Sequence, residues 1–146
     1  MKIHFGTDGI RGKANEDLTV DMAYRIGRYI GNHFNGGKAL IGRDTRISGS
    51  MFESALAAGL TAGGCDVYLL KVCSTPSLVY LVKNEGFSCG LMISASHNPY
   101  YDNGIKIISN QGTKIDIDLE EKIEEYIYND SKLAYATNEN IGQVYD

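Results

Sequence analysis

The chain has 146 residues, 43% hydrophobic and 22% charged, with 17 Gly against 2 Pro. That balance describes an ordinary folded domain and excludes a disordered or fibrous chain. A net charge of −4 without a Lys/Arg block excludes the broad electrostatic footprint of a nucleic-acid binder.

The N-terminus, Met1-Lys2-Ile3-His4-Phe5-Gly6, lacks the apolar stretch of a signal peptide. No run reaches the roughly 18 apolar residues of a membrane span. The expectation is a cytoplasmic protein with neither a membrane nor a nucleic acid as partner. Gly6-Thr7-Asp8-Gly9-Ile10-Arg11-Gly12 reads as a Gly-rich loop. Its backbone N–H groups can approach an anion closely, and Arg11 can reach into it. It is neither a P-loop nor a dinucleotide fingerprint.

Thr19 caps a helix with Ala23, Ile26, Ile30 and Phe34 on one face, ended by Gly36-Gly37. Residues 38–42 read as a short buried strand. Ser50 and Glu53 form a capping box for a second helix, with Phe52, Leu56 and Leu60 on its apolar face. Gly63-Gly64 stops that helix, and residues 66–70 are the next strand. Thr75 as cap and Pro76 at the first helical position start a third helix that ends at Gly86. Strands at 88–93 and 104–108, a short strand around Lys114-Ile115 and a helix opened by Asp118 and Glu121 follow. Cys65, Cys73 and Cys89 show neither disulfide nor zinc spacing and read as buried, reduced thiols.

Strands alternating with helices predict an α/β fold: a three-layer α/β/α sandwich around a four-stranded mixed sheet. The last strand follows its predecessor without a helix and is therefore antiparallel. Residues 1–130 form one domain in this reading. Residues 131–146 are a polar linker and the first strand of a second domain, so more protein is expected to follow.

The loops after residues 42 and 93 lie at the carboxyl edge of such a sheet, where ligands bind at the switch in strand order. The first carries Arg43 and Arg46 with Asp44 between them, two forked donors suited to phosphate or carboxylate. The second carries Ser96, a hydroxyl nucleophile, beside His97, a proton carrier, with Asn98 and Pro99 shaping the turn. Strand alternation places Lys106 on the face opposite Ile105 and Ile107. There it is either a solvated charge or a cation that faces the Ser96 loop and serves in proton transfer.

Phe5-Gly-Thr-Asp-Gly-Ile-Arg-Gly12, Gly42-Arg-Asp-Thr-Arg-Ile-Ser-Gly49, Ser74-Thr-Pro76, Ile93-Ser-Ala-Ser-His-Asn-Pro99 and Asp102-Asn-Gly-Ile-Lys106 stand in order along the chain. Together they closely resemble the first domain of the α-D-phosphohexomutases, over residues 1 to about 130. The wording of the second and fourth blocks resembles the branch of that family acting on phosphorylated hexosamines more than the mannose or glucose branches.

The resemblance implies a phosphoserine at Ser96 that gives its phosphoryl group to a sugar phosphate and takes back another from the 1,6-bisphosphate. It implies Mg²⁺ ligated through the Ser96 phosphate, with Arg11, Lys106 and His97 assisting transfer. Arg43, Asp44, Arg46 and Asn98 would support the loop. The family has four domains. Its Asp-Gly-Asp-Gly-Asp-Arg metal loop, sugar-reading loop and final phosphate loop are absent here, so the remaining three domains are expected partners and this chain alone is expected to lack turnover. A non-catalytic phosphosugar-binding module is the alternative from another class. A serine hydrolase is disfavoured because G-x-S-x-G is missing.

Overall fold

In the computed structural model, residues 2–129 and 132–146 are described. Along them run β1 (Ile10–Lys13), α1 (Val20–His33), β2 (Lys38–Arg43), α2 (Gly49–Ala62), β3 (Asp66–Val72), α3 (Thr75–Asn84), β4 (Cys89–Ile93), β5 (Asp102–Ser109), α4 (Ile117–Tyr128) and β6 (Val144–Tyr145).

The strands form one sheet in the order β1-β5-β4-β2-β3-β6. Strand β2 lies parallel to β3 and β4, and β3 is parallel to β6. Strand β5 is antiparallel to β4, as expected, and also to β1. Alternation along β2 explains the three layers. Ala39 and Ile41 join Ile26, Ile30, Leu56, Leu60 and Ile123 under α1, α2 and α4. Leu40 faces the other way and packs with Leu78 and Val82 of α3.

The sheet has six strands among the described residues, where four were expected. Segment Ile10–Lys13 is short and Gly-flanked, and therefore carries no readable period. It becomes a strand because the edge of β5 accepts it, with Ile10 opposite Ile105. Val144–Tyr145 takes the far edge, against Val67 and Tyr68. Conversely, Lys114 makes only an isolated bridge to Ile108. The boundary expected between residues 130 and 131 falls outside the described residues.

Thr19 caps α1 as expected, its Oγ1 accepting from Met22 N at 3.2 Å. The Ser50–Glu53 capping box does not form. Helix α2 starts at Gly49 after Ser48, and buried Glu53 pairs with Arg43 Nε at 3.3 Å. With the helix starting two residues earlier, Ser50 lies inside its first turn rather than at its cap, and the Glu53 carboxylate is taken by Arg43. The cap of α3 is Ser74 rather than Thr75, and that of α4 is Asp116, two residues before Asp118.

Candidate functional site

Strand order makes β2 and β4 neighbours whose chains leave in opposite directions. Strand β2 feeds α2 on one face and leads to β3, while β4 turns back into β5. The loops after β2 and β4 therefore meet at the switch point, where Asp44 N donates to Ile93 O at 3.1 Å.

Asp44 and Arg46 pair side chain to side chain, and Asp44 Oδ1 also accepts from Arg46 N at 3.0 Å. Arg46 Nη2 then crosses to the second loop, donating to Ser96 O at 3.1 Å and Asn98 O at 2.8 Å. Ser94 Oγ donates to Asp44 Oδ2 at 2.8 Å and accepts from Ser96 N at 3.1 Å. Asn98 closes its own turn, its N–H on Ala95 O at 3.0 Å and its Nδ2 on Asp102 Oδ2 at 3.2 Å. Ser96 emerges exposed with φ 53°, in the left-handed region.

Asp8, Arg11, Thr75, Met92, Ser94, Ser96 and Lys106 line a cleft of about 150 Å³. Four elements and two loops contribute to it. Lys106 stands opposite Met92 in the β4–β5 register, on the face away from Ile105 and Ile107. Arg11 stands opposite Gly104 of β5. A Cβ at Gly104 would sit 2.8 Å from both Arg11 Cγ and Ser94 O, so only glycine lets the arginine stem cross there. Gly9, at φ +85°, similarly lets the N-terminal loop lie on the Ile105 carbonyl. Arg11 Nε is buried without a hydrogen-bond partner.

The fold thus gathers Ser96, Lys106 and Arg11 around one cleft and ties Arg46, Asp44 and Asn98 to its Ser96 rim. Arg43 turns to Glu53 on α2 instead. His97 is exposed and does not line the cleft. Sequence reasoning assigned no role to Asp8, Thr75 or Ser94. All three fall inside quoted motifs, and Thr75 was read only as a helix cap. The three thiols are free, with Cys65 and Cys89 buried but Cys73 only half-buried. Burial pushes the Cys65 thiol up to about 12, and raises those of Cys89 and Cys73 as well.

The structure is thus a mixed α/β sandwich with a serine, an arginine and a lysine around its switch-point cleft, a set of donors that suits a small anion. The chain belongs to the phosphoglucomutase/phosphomannomutase family, whose alpha/beta/alpha domain I model matches residues 2–134. Over its whole length it is 52% identical to the phosphoglucosamine mutases of Lachnoclostridium phytofermentans and Lachnospira eligens, covering 34% of each. A phosphoglucomutase/phosphomannomutase family protein from Burkholderia thailandensis superposes with a TM-score of 0.82 at 28% identity, over 97% of this chain and 32% of that one. The chain spans about a third of the length of the curated relatives it matches.

Proposed function

We propose that this chain is the phosphoryl-carrying first domain of a phosphoglucosamine mutase, which interconverts glucosamine 6-phosphate and glucosamine 1-phosphate. One observation carries the reading: Ser96 is held at positive φ, exposed, on a cleft shared with Arg11 and Lys106. The 52% identity to phosphoglucosamine mutases over the whole chain supports the glucosamine branch.

In this proposal a phosphate on Ser96 Oγ passes to a hydroxyl of the sugar phosphate. The P–Oγ bond breaks, a P–O bond to the sugar forms, and the hydroxyl gives up its proton. The bound 1,6-bisphosphate turns over, and Ser96 takes back the other phosphoryl group. In this reading Arg11 spreads the charge of the transferring group, and Lys106, entering the step as the neutral amine, takes the hydroxyl proton and becomes the ammonium. His97 sits beside Ser96 on the open side of the loop, where an incoming substrate would meet it. Asp44, Arg46 and Asn98 hold the loop, and Arg43 acts at one remove through the β2 end and Glu53.

Mg²⁺ prefers oxygen ligands. Among the described residues no group of three or more His, Cys, Asp or Glu is arranged to hold a metal. Asp44 is already engaged by Arg46 and Ser94, Asp102 by Asn98, and Asp8 is the one carboxylate lining the cleft among the described residues. This chain therefore fits as the donor of one ligand, a Ser96 phosphate oxygen, and the other ligands are assigned to the further domains. Bound there, the ion would neutralise charge on the transferring group. The sugar-reading and distal phosphate contacts are assigned to the same remaining three domains, so the isolated chain is expected not to turn over. No helix among the described residues is long and apolar enough to cross a membrane, and a cytoplasmic location is part of the proposal.

The test is chemical. Incubated with glucosamine 1,6-bisphosphate and Mg²⁺, the chain joined to its remaining three domains gains about 80 Da, one phosphoryl group, mapped to Ser96 by tandem mass spectrometry. Ser96→Ala abolishes the gain. A gain that survives Ser96→Ala, or none in that four-domain protein, defeats the reading.

A further inference from the structure

Ser96 occupies a conformation that L-residues with side chains adopt sparingly. Something must hold it there, and both of its backbone polar groups are taken by side chains. Its carbonyl accepts from Arg46 Nη2 at 3.1 Å, and its N–H donates to Ser94 Oγ at 3.1 Å. The two side chains meet on a single carboxylate, since Ser94 Oγ and Arg46 Nη1 both donate to Asp44 Oδ2. The direction of each bond is forced. A backbone N–H can only donate and a carboxylate only accept, so the Ser94 hydrogen points at Asp44 and its lone pair at Ser96.

We propose that Ser94 is a positioning residue: its hydroxyl ties the Ser96 N–H to Asp44 and, with Arg46 on the carbonyl, clamps Ser96 in the conformation that presents Oγ to the cleft. Group transfer depends on in-line alignment, and a small rotation at the nucleophile lowers the rate steeply. Ser94 itself keeps no hydrogen free for another acceptor in this arrangement, so its contribution runs through Ser96. The methyl group of a threonine leaves the same hydroxyl in place, whereas alanine and valine remove it.

Amide hydrogen exchange in the 146-residue chain, followed by NMR, reads the clamp directly. Ser94→Ala is expected to speed exchange at Ser96 by about tenfold, the worth of one lost hydrogen bond. Exchange at Leu91 in β4 stays slow, which reports an intact sheet. Ser94→Thr retains wild-type exchange at Ser96. The Ser94→Thr and Ser94→Val pair, equal in shape and differing in the hydroxyl, repeats the comparison should the alanine variant fail to fold. In parallel, in the protein that carries all four domains, phosphoryl uptake at Ser96 from glucosamine 1,6-bisphosphate slows by about tenfold in the alanine and valine variants and not in the threonine variant. That second arm rests on the function proposed above. If the four-domain protein without these substitutions takes up no phosphoryl group, the mutase reading fails while the exchange arm still judges the clamp. Unchanged Ser96 exchange in Ser94→Ala, or Ser94→Thr behaving like Ser94→Val, overturns the inference.

Discussion

Glu120 lies on α4 with its residue only 6% exposed, and Lys114 Nζ is 3.4 Å from its Oε1. Burial pushes its carboxyl above the ordinary value, outweighing the neighbouring lysine. A raised carboxyl binds its proton more tightly in the folded state than in the unfolded one. It therefore subtracts stability at neutral pH and stops doing so as pH falls through the raised value and then the unfolded value. Glu120→Gln is expected to raise the thermal midpoint at pH 7 and to lose that advantage below the unfolded carboxyl pKa of about 4.3. Midpoints measured from pH 3 to pH 8 check the sign; a variant less stable at pH 7 means that the Lys114 pair dominates. Legibility at this scale follows the range of the physics. Lys106 was placed on its face by alternation alone, a local rule. Ser94 was not, because its partners are the neighbouring Ser96 and an Asp44 on a different loop, and only folding brings the latter near. Arg43 was expected to serve the Ser96 loop, but a buried Glu53 from the next helix claims it.

At the scale of elements, α1 and α2 cross by backbone contact. A Cβ on Gly59 would lie 2.4 Å from Tyr24 O and 2.6 Å from Arg28 N, both atoms of the helix it faces. Backbone cannot step aside as a flexible side chain can. Gly59→Ala is therefore expected to destabilise the chain by about 1–3 kcal/mol in urea unfolding, even though alanine is the better helix former. A neutral or stabilising result would mean that the two helices slide apart at no cost. The same crossing explains how far elements were readable. Helix existence followed from apolar spacing, and the α1 cap from a lone Thr before a periodic run. The caps of α2, α3 and α4 shifted by one or two residues because several Ser, Thr and Asp stand near each start. Local bonds from Ser77 N to Ser74 and from Leu119 N to Asp116 fix the caps of α3 and α4, while a tertiary partner, Arg43, takes Glu53.

At the scale of the molecule, the segment after α4 is laced onto the helical layer. Buried Arg28 of α1 donates through Nη2 to Leu133 O at 3.1 Å and Ala134 O at 3.2 Å, with its guanidinium 4.2 Å from the Tyr135 ring centre. Ala136 N reaches Ala62 O at 2.9 Å, and Gly142 N reaches Thr61 O at 3.0 Å before β6 joins β3. Two of the Arg28 nitrogens, Nε and Nη1, are buried without partners among the described residues, so part of what Nη2 contributes is offset. Arg28→Ala is expected to cost about 1–3 kcal/mol globally and to accelerate chymotryptic cleavage at Tyr135 severalfold. Cleavage as slow as in the unmodified chain would show that the Ala136 and Gly142 bonds hold the segment by themselves. A polar, weakly patterned stretch gave no sign of this docking, since apart from Tyr135 it is held through main-chain groups that any sequence has.

By itself the sequence determined the layer order, the parallel core of the sheet, its antiparallel β5 and the two polar loops that meet at the switch point. Each of these follows from short-range periodicity, turn residues and chain order. Only the tertiary structure decided the two edge strands, the diversion of Arg43 to Glu53 and the ring of bonds through Asp44 that holds Ser96 from both sides. Those features depend on which open edge, buried charge or distant loop lies within about 3 Å, the reach of a hydrogen bond, and no local pattern encodes that distance.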